Sequence, residues 1–532
     1  VPEFPFIFRP ERADRACRFI EKLRHTKGIW AARREKFLLS DWEIFIVCSL
    51  FGWIEKEGGN TRFWKAYIEV PRKNGKSPFA AAIGLYKFAA EGEFGAEVYS
   101  GATTEKQAWE VFRPARLMCR ADPELCKAFG IEVNAKGLYI PANGSRFEPI
   151  IGKPGDGASP SCPIVDEYHE HDTRALYDAM ETGIIGRVNP LLLVITTAGS
   201  NLAGPCYGLH LDAQKVLDGV LENDRLFCII FAADVGDDWK SELALRKSNP
   251  NYGVSVDPKK LAAAQVEAIQ SASKQNTFKT KHENIWCNAA VAWMNLDKWN
   301  AAADSSLKLQ DFLQDDCIAA LDLASRVDLT SKVLLFRRKI PGDGLQLKDH
   351  YYCFSSHYLN EAKIIEASDT SNASYQGWVH DGWLTQTPGN ITDYGLVAED
   401  LIKDVQAING LREGAHDPYH AAALIQFIEA REDWPRPAGK FFVEVRQTVQ
   451  SISPAMKELE AVIADGRFHH DGNPVMTWEM ANVVAYRDAK ENIYPRKDRV
   501  ENKIDGPVAT MMALARWMFA EPSYTSGNVL LV

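Results

Sequence analysis

Hydrophobic and polar positions change period along this chain, and the changes divide it into three stretches. In the first, apolar runs of strand length alternate with segments of helical period. Residues 41–53 place Trp42, Phe45, Ile46, Leu50 and Phe51 at helical spacing behind a cap at Ser40 or Asp41. A strand over 62–70, a helix over 78–89, a strand over 96–101 and a helix over 104–120 follow. A hairpin around Asn143-Gly144 joins Leu138–Ile140 to Ser145–Ile151. Short apolar strands then appear at 163–165 and 191–195, and residues 11–36 read as one helix. Such alternation predicts helices packed on a parallel sheet.

The second stretch, 239–299, is helical in period, with an Ala-rich segment at 258–272 and an amphipathic one at 276–288. In the third, the apolar strand Cys317–Leu323 carries one acid in its interior, and strands at 332–338 and 350–354 suggest an antiparallel meander. A helix over 398–408 leads to a strand ending in Ala415-His416-Asp417. Helix 419–431, strand 441–445 and helix 454–465 follow, and the last helix, 508–519, is almost wholly apolar. These divisions predict domains at 1–240 and 308–532 with a helical linker or lid at 241–307.

Composition changes this picture little. With 532 residues, 46% apolar and 25% charged, the chain suits a soluble protein of two domains. Its ten cysteines show no zinc or disulfide spacing, and no apolar run is long enough to span a bilayer. A soluble, unsecreted protein is expected. The net charge of −10 does not by itself indicate nucleic acid. Basic residues do cluster at Arg9, Arg12, Arg15 and Arg18 and again at Arg24, Lys27, Arg33, Arg34 and Lys36, either as solvated helix faces or as a stripe for a polyanion.

Candidate chemistry begins where the 62–70 strand meets its helix, at Val70-Pro71-Arg72-Lys73-Asn74-Gly75-Lys76-Ser77. A triphosphate needs converging backbone N–H groups, a helix N-terminus, a lysine and a hydroxyl for Mg²⁺. Gly75, Lys76 and Ser77 supply the end of that pattern, although Val70 stands where a P-loop has its first glycine. Taken alone, Gly-Lys-Ser before a helix is more often an ordinary helix start. Downstream, the 163–165 strand delivers Asp166-Glu167, one acid to support Mg²⁺ and one to orient or deprotonate water. The 191–195 strand ends in Thr196-Thr197-Ala198-Gly199. Three strand ends in that order point to a nucleoside triphosphatase. In the last stretch, Asp322, Asp417 and Asp505 each stand where an apolar element would expose or bury an acid. Together they could bind two Mg²⁺ or Mn²⁺ for phosphodiester hydrolysis. His416, His420 and His469-His470 are left out of that set, because hard metals prefer oxygen.

These residues resemble a family, the large terminase subunit of tailed double-stranded DNA bacteriophages. The resemblance rests on Val70 to Ser77, on Ile164-Val165-Asp166-Glu167-Tyr168-His169-Glu170 and on Thr196-Thr197-Ala198-Gly199. It continues through Asp417-Pro418, Ser453-Pro454-Ala455-Met456-Lys457, Gly472-Asn473-Pro474, Trp478 to Asn482, and Lys503-Ile504-Asp505-Gly506. It implies an α/β chain with an N-terminal ASCE-type P-loop ATPase on a parallel sheet and a C-terminal RNase H-like nuclease on a mixed sheet. Arg72, Lys73, Asn74, Gly75, Lys76, Ser77 and Asp166 would bind ATP and Mg²⁺, and Glu167 would be the catalytic carboxylate. Thr196 and Thr197 would couple hydrolysis to movement, and Asp322, Asp417 and Asp505 would hold Mg²⁺ or Mn²⁺ at the nuclease site. A trans-acting arginine is expected, with Arg146 as the candidate and Lys153 or Arg187 as alternatives. Members often read adenine with a Gln upstream of the P-loop, and the nearest residue here is Glu43.

The resemblance further implies double-stranded DNA, a portal protein and a small terminase subunit as partners, with a homo-oligomeric ring, a pentamer, when docked. Work would take place in the host cell cytoplasm, away from any membrane and from the mature virion. An ATPase-coupled repair or restriction nuclease, or a non-catalytic DNA-binding scaffold, are the rival readings.

Overall fold

The computed structural model describes residues 4–102, 104–151, 158–202, 204–234, 236–287, 293–323, 328–342, 347–370, 375–488, 490–497 and 502–519. Lys153 lies outside them with the rest of 152–157, as does the side chain of His420. Two compact units result. One comprises the chain through Ser271 with Gln275–Cys287, the other Ala272–Lys274 and the chain beyond Cys287.

The first unit is built on an eight-stranded sheet in the order Leu226–Ile230, Lys65–Glu69, Leu192–Thr196, Cys162–Asp166, Glu97–Ala102, Ser145–Ile151, Leu138–Ile140, Glu132–Val133. Neighbours are parallel from the first strand to Ser145–Ile151, and the last two turn back antiparallel. Helices cover both faces, which is why Cys162–Asp166 and Leu192–Thr196 are buried along their whole length. Alternation assigns the faces. Ile68, Val98, Ile164, Leu193 and Ile195 pack with the helices Asp41–Gly52, Lys76–Leu85 and Glu105–Ala121. Tyr67, Tyr99, Val165, Leu192 and Val194 pack with Ala175–Gly183 and Pro205–Leu217.

The second unit has a seven-stranded mixed sheet, ordered Leu384–Thr387, Leu347–Asn360, Thr330–Pro341, Cys317–Leu323, Leu411–His416, Phe442–Glu444, with Phe468–His470 added beside Leu347–Asn360. The first three strands of the chain in this unit form an antiparallel meander, and Leu411–His416 then lies parallel to Cys317–Leu323. This is the strand order of an RNase H-like core. Ile318 and Ala320 face the helices Val449–Ala464, Pro474–Asn482 and Asp505–Phe519. Cys317, Ala319, Leu321 and Leu323 face Tyr394–Ala407 and Pro418–Glu429.

Several boundaries differ from the sequence reading. The single helix expected over 11–36 is Pro10–Ile20 and a short Gly28–Ala32, because the chain doubles back: Phe37 donates to Leu23 and His25 to Glu35 across an Arg24–Lys36 bridge. Pro454 sits inside the helix Val449–Ala464 rather than opening it, and Thr448 provides the cap by accepting from Ser451 N–H. The stretch 241–307 also divides. Its part through Cys287, apart from Ala272–Lys274, packs with the first unit, held there by bonds to the P-loop described below.

Candidate active sites

Register brings the first site together. Lys65–Glu69, Leu192–Thr196 and Cys162–Asp166 are adjacent parallel strands, so the segments following them share one edge of the sheet. Gly75 caps the helix Lys76–Leu85 at φ 88° and Lys73 also takes a positive φ of 75°, which curls the intervening backbone into a loop ahead of the helix. Asp166 points to the face of its strand that carries this helix, and Ser77 Oγ lies 3.4 Å from its Oδ2. Lys76 Nζ donates to the carbonyls of Val70 and Pro71 at 2.7 and 3.3 Å.

Both charged groups are buried and both are pushed toward neutrality. Burial lowers the Lys76 ammonium to about 8, against the pull of Glu167 and Asp166. Burial first, and then the neighbouring Glu167, raise the Asp166 carboxyl to about 7. A phosphate beside Lys76 and a divalent cation beside Asp166 would each restore the charged form, so the residues present fit a metal-bound nucleotide.

Glu167 adopts φ 47°, ψ 47° as the strand ends, and its backbone N–H caps Asp166 Oδ1 at 2.9 Å. Its Oε2 is buried without hydrogen-bond geometry to any partner in the structure, although His169 Nδ1 lies only 3.2 Å away. A buried carboxylate oxygen left in this condition is suited to binding a water. His169 joins this acid to the next strand end: its backbone N–H and Nδ1 both lie 3.1 Å from Thr196 Oγ1, and Thr197 Oγ1 is 3.4 Å from its ring.

The P-loop is further fixed by a buried asparagine network that sequence reasoning missed. Asn74 donates to Asn249 Oδ1 at 2.9 Å and accepts from Asn251 N–H at 3.0 Å, while Asn251 Nδ2 donates to Asn74 O at 2.9 Å. Asn251 Oδ1 also accepts from Ser40 Oγ and Trp42 Nε1 at 2.9 and 3.0 Å. Arg72 N–H donates to Lys281 O at 2.9 Å, and Lys73 O accepts from Ser255 Oγ at 2.7 Å. The signal available was Asn249-Pro250-Asn251, polar residues in a helical stretch with no surface pattern of their own. Glu43 accepts from Ser40 N–H at 2.8 Å, closing a capping box on its own helix.

Arg146 is not brought to this edge within the chain. It pairs with Glu97 at 3.1 Å near the starts of their two strands, opposite the P-loop edge. Arg187 is likewise tied, to Glu93 at 3.3 Å and to Glu97 at 3.6 Å.

In the second unit, Asp322 continues the row of Ile318 and Ala320 toward the face covered by the helix Asp505–Phe519. Leu321 pairs with His416 across parallel strands, so Asp417 comes alongside Asp322, and Asp505 opens the helix on the same face. Burial, then Asp417, raise the Asp322 carboxyl to about 7, while a 3.1 Å bond from Gln447 Nε2 opposes the shift. Burial, then Asp322 and Glu479, push Asp505 well above the usual carboxylate range. Among the described residues no group of three or more histidine, cysteine or acidic side chains, this set included, is arranged so that it could hold a metal ion as the side chains stand. The chemistry of the set nevertheless fits a hard divalent cation, whose charge would relieve the crowding of these acids.

Glu479 is the acid that sequence reasoning passed over. Wholly buried, it accepts from Gly506 N–H at 3.2 Å and lies 3.2 Å from His357 Nδ1, so it fixes the first turn of the helix that presents Asp505. A Cβ on Gly506 would stand 2.5 Å from Glu479 Oε2, which explains the glycine.

The chain matches two family models, "Terminase large subunit, ATPase domain" over residues 41–215 and "Terminase large subunit, endonuclease domain" over 221–521. It is 41% identical over 378 residues to Protein YmfN of Escherichia coli (strain K12), spanning 70% of this chain and 80% of that protein. It is 27% identical over 457 residues to the terminase large subunit of Enterobacteria phage HK97, spanning 84% and 86% respectively. Among solved structures, the HK97 bacteriophage large terminase superposes over 95% of this chain and 99% of that one, at 24% identity and a TM-score of 0.45.

Proposed function

Since the chain belongs to the terminase large subunit family, with an ATPase domain followed by an endonuclease domain, we propose how its own residues serve packaging and cutting of phage DNA. In the first unit Lys76 binds the β- and γ-phosphates of ATP, with the Arg72 side chain beside them and the N–H groups of the loop from Lys73 through Asn74 and Gly75 around them. Ser77 and Asp166 would hold Mg²⁺, which supplies positive charge to the phosphates. Glu167 orients the attacking water and accepts its proton, and Thr196 and Thr197, tied to Glu167 through His169, pass the change onward. In the second unit Asp322, Asp417 and Asp505 would hold Mg²⁺ or Mn²⁺, whose chemistry there is to activate water and stabilise the leaving oxygen. Glu479 keeps Asp505 in place.

On this reading hydrolysis drives double-stranded DNA through a portal into the procapsid, and the nuclease cuts the concatemer when packaging starts and ends. The chain works in the host cytoplasm with a small terminase subunit, as a ring in which Arg146 reaches a neighbour's nucleotide. No helix among the described residues is long and apolar enough to cross a membrane. The observation that carries the proposal is the shared sheet edge, where adjacent strands end in the P-loop, Asp166-Glu167 and Thr196-Thr197.

Separation of function tests it. Lys76→Ala should end ATP hydrolysis and leave metal-dependent cleavage of plasmid DNA, and Asp322→Ala should do the reverse. Full ATPase activity in the first variant, or normal cleavage in the second, would sink the corresponding site.

A further inference from the structure

Lys281 brings a further cation to the P-loop, beside Arg72, Lys73 and Lys76, from outside any nucleotide-binding signature. It lies near the end of the helix Ala272–His282, and its backbone is fastened to the loop on both sides. Lys281 O accepts from Arg72 N–H at 2.9 Å, and the next carbonyl, His282 O, accepts at 2.8 Å from Asn249 Nδ2, itself bound to Asn74 through Asn249 Oδ1. The side chain is 20% exposed, with Nζ 3.0 Å from His169 Nε2 and 3.7 Å from Glu170 Oε1.

The contact with His169 is an exchangeable one. Nε2 lies 3.1 Å from Glu170 Oε1 as well as 3.0 Å from Lys281 Nζ. A carboxylate can only accept and an ammonium can only donate, so a neutral imidazole nitrogen can serve one of them at a time. When Nε2 accepts from Lys281, the ring proton sits on Nδ1, facing Thr196 Oγ1 at 3.1 Å and Glu167 Oε2 at 3.2 Å. When Nε2 carries the proton it donates to Glu170, and Lys281 is released. Burial lowers His169, which keeps the ring in the neutral state that this choice requires. Burial followed by the Arg72 guanidinium lowers Lys281, and Arg72 and Lys281 both repel Lys76. Convergence of these cations on one loop is the electrostatic signature of a polyanion's site.

We propose that Lys281 is a γ-phosphate ligand acting within its own chain, leaving His169 for the terminal phosphate when ATP is bound and returning to it with ADP. The proposal rests on the P-loop reading above. It makes the segment carrying Lys281 sense the nucleotide state and reports that state, through the His169 proton, to Glu167 and Thr196. It also gives the site a preference for ATP over ADP that the loop alone would lack.

Equilibrium binding of fluorescent AMP-PNP and ADP to the full chain tests this. Lys281→Met should weaken the triphosphate analogue by about 10-fold or more, the scale of one charge-assisted hydrogen bond, with ADP changed by less than about 2-fold. Lys281→Arg should recover most of the difference. Equal weakening of both nucleotides, or of neither, would overturn the proposal. A readout on the unaltered protein guards against misfolding: acylation of Lys281, followed by mass spectrometry, should slow with AMP-PNP relative to ADP. Equal labelling in the two states also overturns it. Lys76→Ala distinguishes the underlying reading, since nucleotide binding undiminished in that variant would remove the P-loop itself.

Discussion

Replacing Asp322 by asparagine should end DNA cleavage and yet stabilise the metal-free protein. Asp322 lies in a strand buried along its whole length, and burial, followed by Asp417 and Glu479, raises its carboxyl from 3.8 to about 7. The folded chain therefore prefers the protonated acid, while the unfolded chain titrates near 3.8. Between those values the native state binds more protons, so the contribution of this group to stability is lost as pH rises from about 4 to about 7 and stays lost above it. About three pH units at about 1.4 kcal/mol each set a ceiling of ~4 kcal/mol. Sharing of protons with the neighbouring acids and local relaxation reduce this to roughly 2 kcal/mol.

Asparagine keeps the oxygen that accepts from Gln447 at 3.1 Å and removes only the charge. At about 2–4 °C per kcal/mol, the melting transition of the second unit should rise by roughly 4–8 °C at pH 8 in EDTA. That gain should fade toward pH 4, where the folded-state carboxyl is already protonated and no buried charge is left for asparagine to remove. Mn²⁺ should raise the melting point of the unaltered protein at pH 8 and do so far less in the variant. Calorimetry of the full chain, with the two units followed separately, is the assay. A metal-free D322N protein melting at or below the parent at pH 8 would refute the view of Asp322 as a crowded acid held for a cation.

Two further substitutions probe the parts that hold each site. Gly506→Ala should cost about 1–3 kcal/mol by overpacking, since its Cβ would meet Glu479 Oε2 at 2.5 Å and Met476 Cε at 2.9 Å; cleavage should fall with ATPase intact, and unchanged cleavage would mean that Asp505 does not depend on this turn. Asn251→Ala strips the acceptor shared by Ser40 and Trp42 and the donor to Asn74 O; urea denaturation should show a loss of about 1–3 kcal/mol in the first unit, accompanied by a raised KM for ATP.

What the sequence revealed of all this follows from what local pattern can carry. Asp166-Glu167 and Thr196-Thr197 were legible because each follows a short apolar run, and such runs in an alternating chain end at one sheet edge. Asp322 was legible because a lone acid in Cys317–Leu323 has no inexpensive apolar explanation. Asn249, Asn251 and Lys281 were not, because their partners lie on the P-loop, far away in sequence, and the intervening helices show only an ordinary amphipathic period. Glu479 was hidden for the same reason: its partners are Gly506 and His357, each on a different element. The strands Leu384–Thr387 and Phe468–His470 escaped notice because they are short and polar, and only pairing with Leu347–Asn360 makes them strands.

The two sites differ in one respect that bears on how they are kept apart. In the first, a lysine lowered to about 8 stands beside an acid raised to about 7, so the pair is close to charge-balanced before any ligand arrives. A metal-bound triphosphate, carrying both signs, matches it in a single binding event. The second gathers Asp322, Asp417, Asp505 and Glu479, all of one sign, with Lys497 and Lys503 as the opposing charges that act on Asp322 and Asp505. On the proposed function a cation there displaces the protons that burial and crowding keep on Asp322 and Asp505, and its charge then attracts a DNA phosphate. On the same reading cleavage should take metal first and DNA second, whereas the ATPase site should accept both components together.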